Sequence, residues 1–122
     1  MVKLLIIDDD LQTCDFLKRY LEKRDYEIFI ANNDKDAISI TKEKKPKIVL
    51  LDIRMPGVSG ITVLQKIKEF DKDIKVVMMT AVRDESMVEL AKEYGASDYI
   101  IKPFTLEYLE KEVMTKILKQ LV

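Results

Sequence analysis

The chain has 122 residues, of which 35% are charged, and its formal net charge is −1 with no histidine and one cysteine. The length suits one domain with a sizeable core, and the near-neutral charge gives no reason to expect direct binding to nucleic acid. No apolar run approaches the roughly 18 residues of a membrane span, and no signal peptide is recognisable, so we expect a cytoplasmic protein. The lack of histidine excludes a catalytic triad and a phosphohistidine within this chain.

Five short apolar runs alternate with amphipathic stretches along the chain. The runs lie at 3–7, 27–31, 47–51, 75–79 and 98–101. Runs of this length, rich in Ile and Val, predict buried strands, and the stretches between and after them predict helices. The result is an α/β fold, a single (βα)5 doubly wound parallel sheet with the flavodoxin-like strand order 2-1-3-4-5. We expect one domain, because no linker or second core pattern is visible.

Capping residues and one glycine mark the predicted helix ends. The candidate N-caps are Asp10, Asn33 or Asp34, Ser59, Asp84 and Thr105, and Gly95 is the expected C-terminal stop of the fourth helix. In the first helix, predicted over 11–23, the lone Cys14 shares a pattern with Leu11 and Leu17, and we expect it to pack in the core. Phe16 is compatible with either the core or an exposed contact.

Four of the predicted strands end in polar residues that suit phosphoryl chemistry. Asp8, Asp9 and Asp10 follow the first strand and Asp52 the third, while Thr80 and Lys102 follow the fourth and fifth. In open parallel sheets the ligand site lies beyond the carboxyl ends of the strands, so we expect these side chains to meet there.

The acidic residues of this group predict a metal site. At an effective dielectric constant of 20, two carboxylates 4 Å apart repel by roughly 4 kcal/mol, so a cluster of three requires a cation. Carboxylate oxygens without His or Cys favour Mg²⁺, or Mn²⁺, over zinc. Asp52 stands at a rigid strand end, where its carboxylate can attack phosphorus to give an aspartyl phosphate. Lys102 and Thr80 can then bind phosphoryl oxygens, and Ala81 is small enough to admit the group.

With these residues the chain resembles the receiver domains of bacterial two-component response regulators over nearly its whole length. The matching motifs are Asp8-Asp9, Asp52, Met55-Pro56-Gly57, Gly60, Thr80-Ala81 and the segment 95–104 that contains Lys102-Pro103-Phe104. The resemblance implies that residues 1–122 form one receiver domain with no output domain in this chain. It also implies that Asp52 takes a phosphoryl group from a phosphohistidine on a sensor histidine kinase or a histidine phosphotransfer protein.

Further residues acquire roles from the same resemblance. Mg²⁺ would be bound by Asp9, Asp52 and the backbone carbonyl of Arg54, and Asp8 would act through a bound water. Thr80 and Tyr99 would form a switch that changes the surface made by helix 4, strand 5 and helix 5, for a target protein or a phosphorylation-dependent homodimer. The Lys102-Pro103 peptide would be cis. The start of the first helix, with Gln12, Thr13 and Phe16, would contact the phosphodonor.

Two positions near the acceptor predict how long the phosphoryl group lasts. Arg54 and Val82 stand two residues after Asp52 and Thr80, and they flank the path of a water attacking in line. Valine cannot orient that water, and arginine offers no acceptor. These two residues therefore predict that the phosphoryl group is lost slowly. The resemblance predicts a signalling domain rather than an enzyme, one that phosphorylates itself from small donors.

Three other functions compete with this interpretation. A haloacid-dehalogenase-like Mg²⁺-dependent phosphohydrolase also uses a strand-end Asp, but Gln12 breaks its first motif and no late acidic strand follows Lys102. A flavodoxin-like nucleotide or flavin binder needs a Ser/Thr/Gly-rich phosphate loop where this chain has three aspartates. A degenerate receiver that works only through protein contacts is the third alternative, although every key residue is present.

Overall fold

The protein is described by a computed structural model that covers residues 1–81 and 84–122. At its centre lies a five-stranded parallel sheet in the order β2-β1-β3-β6-β7. Its strands are β1 (Val2–Ile7), β2 (Tyr26–Ala31), β3 (Ile48–Asp52), β6 (Lys75–Thr80) and β7 (Asp98–Ile101). Two further strands, β4 (Arg54–Met55) and β5 (Val58–Ser59), pair antiparallel in a short hairpin that the apolar pattern did not reveal. Without this hairpin the order is the predicted 2-1-3-4-5.

Helices cover both faces of the sheet. They are α1 (Leu11–Glu22), α2 (Asp34–Lys44), α3 (Gly60–Phe70), α4 (Glu85–Glu93), α5 (Leu106–Tyr108) and α6 (Met114–Lys119), with a π-helical turn at Leu109–Val113 between the last two. The fifth predicted helix is therefore continuous but contains a wide turn, which a simple i+3/i+4 pattern does not indicate. No helix in the described part of the chain is long and apolar enough to cross a bilayer.

Most of the predicted caps are confirmed. The side chain of Asp10 accepts hydrogen bonds from the N–H groups of Gln12 and Thr13, and Asn33, Ser59 and Thr105 cap their helices in the same manner. Gly95 follows α4 with a φ of 103°, the left-handed conformation that glycine adopts at low cost.

The cap prediction for Asp84 is wrong in one respect. Asp84 occupies the N-cap position of α4, but its side chain makes no capping hydrogen bond. Its carboxylate binds the guanidinium of Arg54 instead, at 2.7 Å from Nη2. An ion pair with a residue 30 positions earlier cannot be predicted from local sequence.

The core consists of two apolar layers, one on each face of the sheet. Alternate residues of the central strands enter each layer: Leu5 and Ile7 pack against α2, α3 and α4, whereas Leu4 and Ile6 pack against α1 and the C-terminal helix. The expected packing of Cys14 is confirmed. The expectation that Leu11 shares its pattern is wrong, because Leu11 is 67% exposed at the start of α1.

Candidate functional site

The carboxyl ends of the central strands bring the predicted site residues together. Asp8 and Asp52 end the adjacent strands β1 and β3, whose residues Ile7 and Leu51 are paired in register. Asp8, Asp52 and Thr80 are all buried, while Asp9 is exposed at the rim. These strands are covered by helices on both faces, so the acidic ends are held by a rigid apolar framework.

Lys102 joins the two buried carboxylates from the end of β7. Its Nζ lies 2.7 Å from Oδ2 of Asp8 and 3.4 Å from Oδ2 of Asp52. The peptide that follows it, Lys102-Pro103, is cis, as the family resemblance implied. The site thus has a single ammonium group facing two buried carboxylates, and it retains excess negative charge.

The acidic cluster fits a divalent cation. Asp8, Asp9 and Asp52 each offer a carboxylate oxygen, and the three oxygens lie within 4.8 Å of one another. Oδ2 of Asp8 is fully buried, and Nζ of Lys102 lies 2.7 Å from it. An all-oxygen donor set of this kind matches the preferences of Mg²⁺ or Mn²⁺.

Burial and nearby charges shift the pKa of Asp52, the candidate phosphoacceptor. Burial, followed by the nearby charge of Asp8, raises the pKa of Asp52 to about 6, even though Lys102 and the N–H of Arg54 favour its charged form. Burial opposes the charge on Lys102, but its hydrogen bond to Asp8 and the field of Asp52 outweigh that cost and raise the pKa of Lys102. A bound cation would favour the ionised carboxylate, because it replaces the repulsion from Asp8 with attraction.

The loop after β3 fixes the orientation of Asp52. The N–H of Arg54 donates to Oδ1 of Asp52 at 3.2 Å. The N–H of Gly60, the first residue of α3, donates to the carbonyl of Ile53 at 2.7 Å. A Cβ at position 60 would lie only 2.2 Å from the carbonyl oxygen of Asp52, so only glycine permits this close packing of α3 against the loop.

The side chain of Arg54 points away from the acidic cluster. Its Nε and Nη2 lie 3.0 and 2.7 Å from Oδ1 of Asp84, at the start of α4. This hydrogen bond raises the pKa of Arg54. The predicted role of its backbone carbonyl in metal binding remains a prediction. Val82, the second residue predicted to tune hydrolysis, lies outside the described residues.

Thr80 and Tyr99 lie on the two strands at one edge of the sheet. The hydroxyl of Thr80 donates to the carbonyl of Ala81 at 3.0 Å. A cavity of about 320 Å³ is lined by both Thr80 and the half-buried Tyr99, with Val88 and Lys92 of α4 among its other lining residues. Thr80 and Tyr99 therefore border the same open space beside α4.

Lysines on the neighbouring helices contact Tyr99, a feature that sequence reasoning missed. Nζ of Lys116 lies 4.5 Å from the centre of the Tyr99 ring, and Nζ of Lys92 lies 5.4 Å from it. Lys116 also donates to the carbonyl of Tyr99 and lies 3.6 Å from Oδ1 of Asp98. A lysine at i+17 has no local signal in the sequence, so this contact became visible only with the fold.

Asn32 is a second contributor that the sequence did not indicate. Its Nδ2 donates to the backbone carbonyl of Asp8 at 2.8 Å, and Sγ of Cys14 donates to the same oxygen at 3.4 Å. Both side chains hold the end of β1 in place. Burial, followed by the charge of Asp8, raises the pKa of Cys14 to about 11, so its thiol is unreactive near neutral pH.

A shallow surface beside Lys102 includes the residues predicted to meet a phosphodonor. A cavity of about 320 Å³ is lined by Gln12, Thr13, Phe16, Pro103 and Phe104, among others. Phe16 is 39% exposed, which resolves the two alternatives for this residue in favour of an exposed position. The acidic cluster thus has an apolar rim on the α1 side.

Comparison with known proteins places this site in a large family. The family model described as the response regulator receiver domain matches residues 4–114. The chain is 35% identical over 111 residues to sporulation initiation phosphotransferase F of Bacillus subtilis, a match that covers 91% of this chain and 90% of that protein.

Two further matches, one found by sequence and one by structure, agree with this family. The chain is 38% identical over 109 residues to the transcriptional regulatory protein ZraR of Klebsiella oxytoca, which covers 89% of this chain but only 25% of that protein. The solved structure of a two-component response regulator from Clostridium difficile superposes with a TM-score of 0.87 at 32% identity, and the match covers 99% of this chain and 98% of that one. These matches do not support the phosphohydrolase alternative.

Proposed function

This chain belongs to the response regulator receiver domain family of two-component signalling, and on that premise we propose that Asp52 is its phosphoacceptor. Receiver domains are signalling domains that interact with histidine kinases or histidine phosphotransfer proteins. The observation that carries the proposal is that the buried Asp52 carboxylate lies 3.4 Å from Nζ of Lys102 and offers an oxygen within 4.8 Å of carboxylate oxygens of Asp8 and Asp9.

The transfer is a displacement at phosphorus. An oxygen of Asp52 attacks the phosphorus of a partner phosphohistidine, the N–P bond breaks, and the imidazole leaves with the electron pair of that bond. Lys102 neutralises charge on the phosphoryl oxygens, and the hydroxyl of Thr80 turns from the carbonyl of Ala81 to donate to one of them. The N–H of Arg54 holds the other oxygen of Asp52 in position.

The acidic pair supplies the metal site that this chemistry needs. We propose that Asp9, Asp52 and the backbone carbonyl of Arg54 bind Mg²⁺ directly, with Mn²⁺ as a substitute, and that Asp8 acts through a bound water. The metal supplies charge neutralisation for the phosphoryl oxygens when it is bound. The three carboxylate oxygens of Asp8, Asp9 and Asp52, which lie within 4.8 Å of one another, support this assignment.

The phosphodonor would approach across the surface that contains Phe16 and Phe104. The donor is a sensor histidine kinase or a histidine phosphotransfer protein, and its histidine must reach Asp52 past Lys102. Phe16 and Phe104 offer apolar contacts beside that path, and Gln12 and Thr13 offer polar ones. This arrangement suits a partner helix that carries the histidine on one side.

The signal would leave through the α4–β7 side of the sheet. When Thr80 turns toward the phosphoryl group, it vacates space beside the cavity that both Thr80 and Tyr99 line. Tyr99 then turns inward and gives up its contacts with Lys92 and Lys116. The surface formed by α4, β7 and the C-terminal helix changes as a result, for recognition by a target protein or by a second phosphorylated copy.

We further propose that the domain phosphorylates itself from small donors such as acetyl phosphate and loses the phosphoryl group slowly. The guanidinium of Arg54 has no acceptor atom with which to orient a water at Asp52. Valine at position 82 has no polar atom with which to do so. A half-life of seconds for the phosphorylated protein would contradict the second part of this proposal.

Intact-mass spectrometry after incubation with Mg²⁺ and acetyl phosphate tests the proposal. We expect one phosphoryl adduct on the parent, none on Asp52→Ala, and none on the parent when the metal is chelated. Asp15→Ala, which removes an exposed carboxylate from α1, is the matched control and should still form the adduct. Catalytic release of phosphate without an adduct would favour a hydrolase, and an adduct that persists in Asp52→Ala would assign the acceptor elsewhere.

A further inference from the structure

Asp84 lies at the start of α4, where its carboxylate has two competing uses. It is the N-cap residue of α4, and its backbone carbonyl accepts the hydrogen bond from the N–H of Val88 at 3.0 Å. Aspartate at this position usually accepts a hydrogen bond from an N–H of the first helical turn. In this structure the carboxylate makes no such bond and binds Arg54 instead.

The ion pair is asymmetric in its burial. The side chain of Asp84 is 10% exposed, whereas that of Arg54 is 72% exposed. A carboxylate this deeply buried depends on a partner for its charge, so Arg54 stays with Asp84 as long as no stronger anion competes. The side chain of Arg54, in contrast, is mostly exposed to water, so its guanidinium is able to change partners.

The phosphoryl group proposed for Asp52 would be that stronger anion. Arg54 begins its side chain beside the acceptor, since its N–H already donates to Oδ1 of Asp52 at 3.2 Å. The phosphorylated side chain carries up to two negative charges in place of the carboxylate's one, with three phosphoryl oxygens as acceptors, and guanidinium groups bind phosphate in paired hydrogen bonds. Once Arg54 is drawn to it, the carboxylate of Asp84 is released to cap α4.

Building on the proposed function, we propose that Asp84 is a positioning residue that holds the Arg54 guanidinium away from the phosphoryl site, and that Arg54 exchanges Asp84 for the phosphoryl group when Asp52 is modified. Asp84 thereby sets how strongly the site attracts a phosphodonor. The same exchange connects the loop after β3 with the first turn of α4, and α4 is one of the elements of the proposed output surface.

The effect on donor binding can be measured with acetyl phosphate at a fixed saturating concentration of Mg²⁺. Asp84→Asn keeps a good N-cap side chain but removes the charge that holds Arg54, so the guanidinium becomes available to the incoming dianion. We expect the half-saturating concentration of acetyl phosphate to fall about threefold to fivefold, the strength of one exposed ion pair, with little change in the maximal rate.

Two controls separate positioning from the simple loss of a negative charge. Glu85→Gln removes one negative charge from the next residue, which is exposed. We expect it to lower the half-saturating concentration of acetyl phosphate by less than about half as much as Asp84→Asn does. In an Arg54→Ala background, Asp84→Asn should behave like Glu85→Gln, because there is no guanidinium left to release. If Asp84→Asn is poorly folded, Asp84→Ser offers an uncharged hydroxyl cap for the same comparison.

The outcomes distinguish this inference from the function it rests on. No adduct on the parent protein would refute the proposed function itself. An adduct on the parent, with equal shifts for Asp84→Asn and Glu85→Gln, would refute the positioning role alone. The same conclusion would follow if Asp84→Asn lowered half-saturation equally in the parent and in the Arg54→Ala background.

Discussion

The proposed acceptor site and the α4–β7 face differ in how far their charged side chains are buried. At the proposed acceptor site, Asp8 and Asp52 are buried at the ends of two central strands. On the α4–β7 face, Tyr99 is half-buried on the edge strand, and the side chains of Lys116 and Lys92 beside its ring are 20% and 48% exposed. One region buries these two carboxylates, and the other leaves its lysines partly in water.

This difference separates the chemistry from the signal. Buried charges are costly to leave unpaired, so the acceptor site keeps its geometry and responds strongly to a cation or a phosphoryl group. The Lys92 side chain is 48% exposed, and a cation–π contact at such a position is worth about 0.5–1 kcal/mol, so its contact with Tyr99 can break at small cost. Each of the following predictions changes one of these two regions.

The largest effect should follow loss of the metal at the acceptor site. Asp9→Asn removes an exposed carboxylate from the cluster, and we expect phosphorylation by acetyl phosphate to slow by roughly 100-fold, because a bound metal contributes several kcal/mol of charge stabilisation. Intact-mass time courses at several Mg²⁺ concentrations measure this. Glu43→Gln, on the exposed side of α2, is the matched control. An unchanged rate in Asp9→Asn would exclude it as a metal ligand.

Lys102 should matter for stability as well as for transfer. Lys102→Met leaves Asp8 and Asp52 facing each other without a cation, and we expect metal-free protein to lose about 2 kcal/mol, or roughly 8 °C in Tm. Thermal melts in chelator measure the loss. Lys66→Met, an exposed lysine on α3, should shift Tm by less than about 2 °C. Equal Tm values for the parent and Lys102→Met would show that the buried carboxylates do not need this ammonium.

The pH dependence of stability tests the cost of burying the charge of Asp52 beside that of Asp8. Its pKa is about 6 in the folded metal-free protein and about 3.9 when unfolded, so folding favours the protonated form. The stability that comes from this difference is present at low pH and is lost as pH rises through 6. Asp52→Asn removes this loss and should stabilise the metal-free protein by roughly 1–3 kcal/mol at pH 7, with little effect at pH 4. A destabilised variant at pH 7 would contradict the assignment.

The smallest effect belongs to the α4–β7 face. Lys116→Met removes the contacts with the Tyr99 ring and Asp98, and we expect a loss of about 0.5–1 kcal/mol in denaturant unfolding. Lys119→Met, an exposed lysine on the same helix, should change stability less. A loss above about 2 kcal/mol for Lys116→Met would mean that Tyr99 is fixed too firmly to act as a switch.

The parts of this molecule that follow from local pattern were predictable from the sequence. The five strands came from apolar runs of the right length, and their ends were correct within one residue because the change from apolar to polar residues marks where each strand ends. The meeting of Asp8 and Asp52 followed from parallel strands sharing one edge. Both predictions need only the pattern of apolar and polar residues along the chain, which a single sequence shows.

Contacts between side chains that are far apart in sequence were not predictable in this way. The pairing of Arg54 with Asp84 joins β4 to the start of α4, and the position of Lys116 over Tyr99 joins a helix to an edge strand. Both depend on the relative placement of elements and on rotamers, which periodicity does not encode. Leu11 was assigned to an apolar face, yet it lies at the exposed start of its helix, where spacing alone cannot tell the two sides apart.

The most direct test of the account links the two regions in one experiment. Hydrogen–deuterium exchange, measured on the parent and on Asp52→Asn with Mg²⁺ and acetyl phosphate, reports on both at once. We predict that phosphorylation changes protection in α4 and β7 as well as in the loop after β3, and that Asp52→Asn shows neither change. Complete phosphorylation of Asp52 with changes in protection confined to the loop after β3 would contradict the claim that this site controls the α4–β7 face.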